Sequence, residues 1–443
     1  MDYRFSSYSI VVPLESEPDN VFMMHGYTGA IDVLSKEIAE YLQNHAHFSK
    51  EEIPCSETTM EALEKRGYIT KWSEEEEVEY AKRLANALYR KENILNNNFT
   101  VVVTYDCNFR CPYCFEKGIK KDTTTFTKEM TDKLYKTILE IAPEKKLRNN
   151  TITLYGGEPL LKENKDAVTY LVEKGREYGF KFSAITNGYD LDAYEDLLGP
   201  DKICHLQITI DGMPDLHNQK RIHRCGTPTF NKIVQNVGLA LKNEVSVSIR
   251  VNTDKNNIQQ LNELQHLFAE KGFTENKLFY IYSALLRHHD EGKVPQNILS
   301  QKEYIKQIKD IGVRCSHHDY GLSNKISTAI RQNRPISLGT SFCGAQNRGF
   351  VMDPLGCIYP CWEVVNKEEH LLGMYNKENT IWNNQVRQTW RNCAIVMEGC
   401  IKCKYAFLCR GGCPAHQLDN KQCAHIEEIV HHTINRTYTI FNN

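Results

Sequence analysis

The sequence lacks the features that would place it in a membrane, in the secretory pathway or on nucleic acid. No uninterrupted apolar stretch approaches the ~20 residues that a membrane-spanning helix needs. The start of the chain, MDYRFSSYSIVVPLESEPD, does not have the pattern of a signal peptide. The net charge is only -2, so no excess of positive charge suggests a nucleic-acid partner. We therefore expect a cytoplasmic protein that binds neither a membrane nor nucleic acid.

Cysteine, in contrast, is abundant, with 16 residues in a chain of 443. A cytoplasmic protein is not expected to be held by disulfides, so metal or cluster binding explains these cysteines better. Cys107, Cys111 and Cys114 form a C-x3-C-x2-C array directly after the β-branched run at residues 101–103. That run predicts a strand. The array then lies in the loop that leaves a strand end, where α/β folds place their chemistry.

Three thiolates at this spacing can share one inorganic cluster but lack the fourth ligand of a closed structural site. If they bind a [4Fe–4S] cluster, one iron would have no protein ligand and could bind a small molecule. The alternative to a cluster is a zinc knuckle whose fourth ligand lies elsewhere in the chain. The spacing, with Tyr113 before the last cysteine, resembles that of radical S-adenosylmethionine (SAM) enzymes. The resemblance implies that the open iron chelates SAM. It also implies that a 5′-deoxyadenosyl radical then abstracts hydrogen from a substrate.

Between residues 99 and 286 the sequence alternates apolar strand candidates with amphipathic helical stretches. Such alternation predicts parallel βα units. Six repeats match the partial (β/α)6 TIM barrel that the radical SAM resemblance implies. The predicted strands cover residues 100–104, 151–155, 182–186, 205–210, 245–251 and 277–281.

Glycine and polar residues follow these strands. Gly156-Gly157-Glu158-Pro159 comes after the second strand, Asn187 after the third, and Thr209 at the end of the fourth. Glycine permits close backbone approach, and a carboxylate is the acceptor that an ammonium group needs. By the resemblance, the GGEP motif binds the SAM amino group, and Asn187 and Thr209 approach its ribose and carboxylate. Arg221 and Arg250 are weaker candidates, for which a structural salt bridge is the alternative.

The C-terminal part carries a second set of cysteines that resembles the SPASM domain with its two auxiliary [4Fe–4S] clusters. A pair of zinc ribbons is the alternative. The resemblance assigns the distal cluster to Cys400, Cys403, Cys409 and Cys423. It assigns the proximal cluster to Cys343, Cys361 and Cys413. The fourth proximal ligand stays open among Cys357, Cys315, Cys393 and the substrate.

Residues 1–72 predict a separate winged-helix-like unit. Strands are predicted at 8–14, 20–27 and 68–72, and helices at 35–44 and 57–65. In maturases of ribosomally made peptides, a similar unit binds the leader of a precursor peptide as an added strand; a plain cap on the catalytic domain is the alternative. Residues 73–98 predict a helical linker whose charges form a solvated face. Residues 287–335 are predicted to form a bridging region, and residues 336–443 are predicted to form the SPASM domain.

Together the resemblances imply a radical SAM peptide maturase that installs a thioether or carbon–carbon cross-link in a precursor peptide. Its cofactors would be SAM and three [4Fe–4S] clusters, and its partners the precursor, bound through its leader, and a reductant such as flavodoxin or ferredoxin. An anaerobic sulfatase-maturating enzyme, which makes formylglycine, is the first alternative. Those enzymes start their cysteine motif near the N-terminus and typically carry Asp where this chain has Trp362-Glu363. A non-catalytic iron–sulfur or zinc protein that binds peptides is the second alternative, and the intact GGEP motif argues against it.

Overall fold

The computed structural model describes residues 2–93, 97–119, 122–287, 295–312, 316–397, 399–417, 423 and 425–442. The strands are β1 Arg4–Phe5, β2 Ser9–Pro13, β3 Asn20–His25, β4 Ile31–Ser35, β5 Ile69–Thr70, β6 Asn97–Thr104, β7 Arg148–Gly156, β8 Lys181–Thr186, β9 Ile203–Thr209, β10 Ser246–Thr253, β11 Phe279–Leu285, β12 Ser316–His317, β13 Gly349–Met352, β14 Cys357–Tyr359, β15 Gly373–Met374 and β16 Ile381–Trp382. The α-helices are α1 Lys36–Asn44, α2 Glu57–Arg66, α3 Glu74–Glu92, α4 Lys128–Ile141, α5 Lys165–Glu177, α6 Pro214–Lys220, α7 Phe230–Lys242, α8 Leu261–Glu270, α9 Gln301–Asp310, α10 Leu322–Gln332, α11 Asn384–Trp390, α12 Ala406–Cys409, α13 Pro414–Gln417 and α14 Glu427–Asn442. Within these ranges, no helix is both long and apolar enough to cross a membrane.

The chain folds into two compact units that do not follow the predicted segment boundaries. The first unit contains residues 1–94, 319–347 and 392–443, and the second contains residues 95–318 and 348–391. These compact units combine parts of several predicted segments, and the boundaries at 72 and 336 stay predictions. The physical reason is packing: the N-terminal strands share a core with the C-terminal helix, and β13 pairs with β6. The functional labels given to those segments stay predictions.

The first unit is built on the antiparallel sheet β2-β3-β4. Successive side chains of β3 alternate between two cores, as strand geometry requires. Val21 and Met23 pack with residues of α1 and α2, whereas Phe22 and Met24 pack with residues of α10 and α14. Helix α2 ends at Gly67, whose φ of 92° lies in the left-handed region, as the sequence predicts for a helix stop. Strand β4 was not predicted and lies at the edge of this sheet.

Helix α3 corrects one expectation about charge. Ser73 and Glu76 form a capping box that starts the helix, and most of its acidic first turn is exposed. Glu77, however, is fully buried and forms a salt bridge of 2.6 Å with Arg4. Its carboxylate also accepts the hydroxyl of Ser6 at 2.6 Å. The prediction of a solvated charged face is wrong at this position, because Glu77 connects α3 to the N-terminal strands.

The second unit contains the predicted barrel sheet. Strands β6 to β11 are adjacent, parallel and in sequence order, which confirms the six predicted βα strands. Strand β12 extends the sheet beside β11, and β13 adds a parallel strand beside β6. The short strands β14, β15 and β16 continue from β13 in antiparallel order. The carboxyl ends of β6 to β10 therefore lie along one edge of a single sheet, which is where the predicted site residues fall.

Candidate active site

The cluster loop leaves the carboxyl end of β6, and a neighbouring segment holds it in place. Residues 108–110 lie beside residues 222–224, with an antiparallel bridge between Phe109 and His223. Two backbone hydrogen bonds of 2.7 Å flank this bridge. Cys107 Sγ accepts the N–H of Phe109 at 3.3 Å, so the first thiol is oriented by its own loop.

The three predicted cluster cysteines are partly buried. Burial, with the Glu158 carboxylate and the Cys111 thiol, raises the pKa of Cys107 to about 12, against the opposing effects of the Phe109 N–H and Arg221. The N–H of Cys114 donates to the carbonyl of Cys111 at 3.2 Å, which forms a tight turn between the last two thiols. With its pKa raised, the Cys107 thiol stays neutral until a metal replaces its proton.

The two glycines of the GGEP motif are required by the cluster loop itself. A Cβ on Gly156, whose φ is 130°, would lie 2.3 Å from the carbonyl oxygen of Thr104. A Cβ on Gly157 would lie 2.2 Å from the carbonyl oxygen of Asp106. The N–H groups of Gly157 and Glu158 donate to these same two carbonyls, at 3.0 and 2.9 Å. Side chains at either glycine would displace the backbone that leads into Cys107.

Glu158 is 2% exposed and accepts hydrogen bonds from the protein at both carboxylate oxygens. Oε1 accepts the N–H of Leu160 at 2.9 Å and the hydroxyl of Thr186 at 2.6 Å. Oε2 accepts the N–H of Asn187 at 2.7 Å. Burial raises the pKa of Glu158 to about 7, although these hydrogen bonds oppose the rise. A carboxylate can accept about four hydrogen bonds, so Oε2 has room for one further donor.

Asn187 and Thr209 are buried at the ends of β8 and β9. The side-chain amide of Asn187 donates to Asn108 at 2.7 Å, and its carbonyl oxygen accepts the N–H of Tyr189 at 2.9 Å. Asn108 in turn donates to Asp190 at 3.0 Å. This chain of amides connects the end of β8 to the cluster loop. The roles of Asn187 and Thr209 toward SAM stay predictions.

Asp211 is a site residue that was not among the predicted ligands. It is fully buried two residues after the end of β9 and accepts the hydroxyl of Tyr113, the aromatic residue before the last cluster cysteine. Its other oxygen accepts the N–H of Asn252 at 2.9 Å. Arg221 Nη1 donates to the same Tyr113 hydroxyl at 3.3 Å. The signal in the sequence was an aspartate at a strand end, and its partner on the cluster loop could not be foreseen from spacing.

The four cysteines predicted for the distal cluster come together within the first unit. Burial, together with the neighbouring thiols of Cys423, Cys400 and Cys403, raises the pKa of Cys409 to about 12. Burial, and after it the thiols of Cys423 and Cys403, likewise raise the pKa of Cys400. Cys423 Sγ accepts the N–H of His425 at 3.4 Å. Backbone amides also hydrogen-bond to the thiols of Cys403 and Cys409.

Two kinds of site could use four thiolates, a zinc ribbon and a four-iron cluster. Among the described residues, no group of three or more His, Cys, Asp or Glu side chains is arranged to hold one metal ion. A tetrahedral zinc site needs its sulfur ligands about 4 Å apart, from Zn–S bonds of about 2.3 Å. A four-iron cluster binds each thiolate through a separate iron and so spreads its ligands more widely. The assignment of this quartet to a cluster stays a prediction.

The remaining cysteine predictions divide between the two units. Cys343 and Cys413 belong to the first unit and Cys361 to the second, so the proximal set stays a prediction. Cys393 is 8% exposed and donates its S–H to the carbonyl of Ala85, which is the behaviour of a neutral core thiol. Cys357 lies in β14, where burial raises its pKa to about 11. Cys315 and the pair His288-His289, which could ligate metal but are more often surface histidines, lie outside the described residues.

Residues 101–268 match the model of the radical SAM superfamily. The second unit contains a radical SAM domain. The matched range begins in β6, ends in α8 and includes the three-cysteine array and the GGEP motif. The protein is thus an enzyme with a radical SAM domain, which argues against the non-catalytic alternative.

Two relatives extend the similarity beyond that domain. A cysteine-type anaerobic sulfatase-maturating enzyme of Clostridium perfringens is 25% identical over 370 residues, which cover 76% of this chain and 96% of that protein. The mycofactocin maturase MftC of Mycobacterium tuberculosis is 24% identical over 331 residues, which cover 71% of this chain and 77% of that protein. The radical SAM enzyme therefore resembles both a sulfatase-maturating enzyme and a peptide maturase.

Two solved structures share the fold. Native anSMEcpe with bound AdoMet aligns over 78% of this chain and 99% of its own, with 22% identity and a TM-score of 0.59. Streptococcus suis SuiB aligns over 95% of this chain and 97% of its own, with 15% identity and a TM-score of 0.50. At these identities the likeness shows the fold alone.

The residues of the radical SAM domain fit SAM and a four-iron cluster. The pocket offers three thiols in one loop and, at Glu158, an acceptor position for an ammonium group. Arg221 Nε is buried, and no partner for it is found in the described part of the chain. The Arg221 guanidinium lies close enough to Cys111 for the two charges to interact. A carboxylate bound beside the cluster would satisfy this donor, and SAM carries one.

Proposed function

We propose that this radical SAM enzyme is a maturase that cross-links a ribosomally synthesised precursor peptide, through a thioether or a carbon–carbon bond. When SAM and the reductive cluster are bound, they supply hydrogen abstraction by a 5′-deoxyadenosyl radical. Cys107, Cys111 and Cys114 would hold the cluster, and Arg221 and Glu158 would bind the carboxylate and ammonium of SAM. Among the structures that share the fold, SuiB has been solved bound to the precursor peptide SuiA.

The observation that carries this proposal is the sheet β2-β3-β4 before the radical SAM domain. The sulfatase-maturating relative is matched over 96% of its own length and still leaves about a quarter of this chain unmatched. SuiB aligns over 95% of this chain. A three-stranded sheet with an open edge and packed helices supports the winged-helix-like, leader-binding interpretation.

The edge strand β4 suits the addition of a leader strand. His25 donates its N–H to the carbonyl of Ala30 at 2.9 Å, which sets the alternation of hydrogen-bonded pairs between β3 and β4. By that alternation, the backbone groups of Ile31, Val33 and Ser35 point away from β3. Arg66 donates to the carbonyl of Ile31 at 2.9 Å, as this orientation requires. Val33 is 42% exposed, and its outward N–H and C=O are placed to pair with an extended peptide.

The auxiliary clusters and the reductant complete the proposal. The distal quartet, Cys400, Cys403, Cys409 and Cys423, would hold one [4Fe–4S] cluster, supported by the mutual pKa effects of its thiols. Cys343, Cys361 and Cys413 would hold the other, with the fourth ligand left to Cys357, Cys315 or the substrate. Flavodoxin or ferredoxin would supply the electron that starts each turnover.

The test is to incubate the reconstituted enzyme anaerobically with SAM, a strong reductant and the short peptides encoded beside its gene. We expect 5′-deoxyadenosine and a modified peptide that has lost two hydrogens for each new bond. The triple variant with Cys107, Cys111 and Cys114 changed to Ala should give neither product, because it cannot hold the cluster. Conversion of a Cys or Ser peptide to formylglycine without a leader would instead identify a sulfatase-maturating enzyme.

A further inference from the structure

In strands β9 to β11, the sheet of the radical SAM domain has one apolar face and one polar face. Side chains that point toward the helices are fully buried and apolar, among them Leu206, Ile208, Val247, Ile249 and Val251. The opposite face, which we call the inner face, carries His205, Gln207, Thr209, Ser248, Arg250 and Tyr282. Parallel strands covered on both sides are apolar throughout, and closed barrels fill their interior with branched apolar side chains. A polar inner face is therefore suited to a polar ligand.

The polar side chains of the inner face are linked across the strands. His205 Nε2 lies 3.0 Å from Ser248 Oγ, and the Tyr282 hydroxyl donates to Gln207 at 2.8 Å. Burial lowers the pKa of His205, so that Arg250 is the charged member of this set. Hydrogen bonding therefore fixes the neutral residues and leaves one cation among them.

Arg250 has more N–H donors than its hydrogen bonds to Asn252 and Tyr282 use. Its Nε donates to Asn252 at 2.9 Å, and its guanidinium interacts with the Tyr282 hydroxyl. A guanidinium carries five N–H donors in a planar fork that matches a carboxylate. Arg250 is partly exposed, so a ligand on the inner face can reach the remaining donors.

The register places Arg250 below the cluster loop. Arg250 pairs with Thr209 at the end of β9 and with Tyr282 of β11. Asn252, one pleat further along β10, donates its N–H to Asp211, which holds Tyr113 of the cluster loop. Two residues of a strand span about 7 Å. Arg250 therefore lies two residues before Asn252 along β10, farther from the carboxyl end of the strand and from the cluster loop.

We infer that Arg250 is a specificity-determining residue that binds a carboxylate of the peptide substrate on the inner face. The inference rests on the proposed function, since it needs a peptide substrate. SAM also carries a carboxylate, but Arg221 beside Cys111 offers that group a buried donor at the level of the cluster. The peptide class favoured is one with Asp or Glu near the modified residue.

The experiment uses the reconstituted holoenzyme and two blocked probe peptides, acetyl-Gly-Ser-Glu-Ser-Gly-amide and its Gln twin. Saturation-transfer NMR measures their binding to the wild type, Arg250→Gln, Arg250→Lys and the neutral inner-face control Ser183→Ala. We expect the wild type and the control to prefer the Glu peptide by about tenfold, as for a charge-assisted hydrogen bond. Arg250→Gln should lose the preference, and Arg250→Lys should keep part of it, because the charge remains without the fork.

SAM affinity, measured on the same proteins, separates the two sources of carboxylate. We expect Arg250→Gln to bind and cleave SAM as the wild type does. Weaker SAM binding with an unchanged preference between the peptides would assign Arg250 to SAM and overturn the inference. A wild type that does not distinguish Glu from Gln would overturn it as well. Failure of the proposed function would differ, because the wild type would then cross-link no precursor peptide.

Discussion

Glu158 is a buried carboxylate whose hydrogen-bond donors are all neutral, whereas the equally buried Glu77 has Arg4 as a partner. Because no cation among the residues that the structure describes pairs with Glu158, the effect of burial exceeds that of the hydrogen bonds and raises the pKa of Glu158 to about 7. The charge of Glu158 therefore changes near neutral pH. A bound ammonium group would favour the ionised form of Glu158. Binding of the ammonium and ionisation of Glu158 should therefore be strongly coupled.

We predict that Glu158→Gln weakens SAM binding in a manner that depends on pH. Above pH 7 the wild-type carboxylate is ionised and can accept the SAM ammonium, so the variant should bind about tenfold more weakly. Below pH 6 the wild-type carboxyl is protonated, and the two affinities should converge. The experiment measures the ratio of the wild-type SAM affinity to the variant SAM affinity from pH 5.5 to 8. Protonation of SAM itself changes both affinities equally and therefore cancels in this ratio.

The matched control is Glu163→Gln, a nearby carboxylate that pairs with Arg224 at 3.1 Å and is about half exposed. Its SAM affinity should equal that of the wild type at each pH. Thermal unfolding of both variants separates a change in binding from a change in fold. A ratio for Glu158→Gln that stays constant across the pH range would contradict the assigned role.

At the scale of elements, local pattern determined what could be predicted. Strands β6 to β10 are short apolar runs between amphipathic helices, so their order and direction followed from the sequence. Strand β4 has the mixed sequence IDVLS and intermediate burial at most positions, and it carried no clear alternation. Strands β13 to β16 are two to four residues long and depend on pairing with β6 and with one another. Such pairings are set by tertiary contacts that no local window contains.

We predict that Val33→Pro in β4 weakens leader binding without unfolding the sheet. Val33 directs its N–H away from β3, and proline on an edge strand is tolerated where the N–H faces outward. Loss of that one donor should weaken binding of the leader half of the precursor by roughly threefold to tenfold. Fluorescence anisotropy with a labelled leader peptide measures this affinity.

Val33→Thr is the matched control for that experiment, since threonine keeps the N–H and favours strands. It should bind the leader as the wild type does. Both variants should cleave SAM normally, because β4 and the radical SAM domain belong to different units. Equal leader affinity in Val33→Pro and Val33→Thr would show that the leader does not pair with β4.

At the scale of the whole molecule, residues far apart in the chain build the first unit together. The Tyr8 hydroxyl donates to the carbonyl of Ile401 at 2.6 Å. Ile10 packs in one core with Val430 and Ile434. Because removal of residues 1–72 would expose this core, a point substitution in β4 tests leader binding more cleanly than a deletion. Sequence spacing suggested a separable N-terminal domain, since it shows where segments begin but not which of them share a core.

We predict that the reconstituted protein contains about twelve irons, as three four-iron clusters require. Changing Cys400 and Cys403 together to Ala should remove about four of them, because two of the four distal ligands are lost. The exposed Cys225, which no cluster assignment uses, supplies the control: Cys225→Ala should keep the full iron content. Iron analysis and the absorbance of the clusters measure the outcome. An unchanged iron content in the double variant, or zinc in place of iron, would contradict the assignment of the distal quartet.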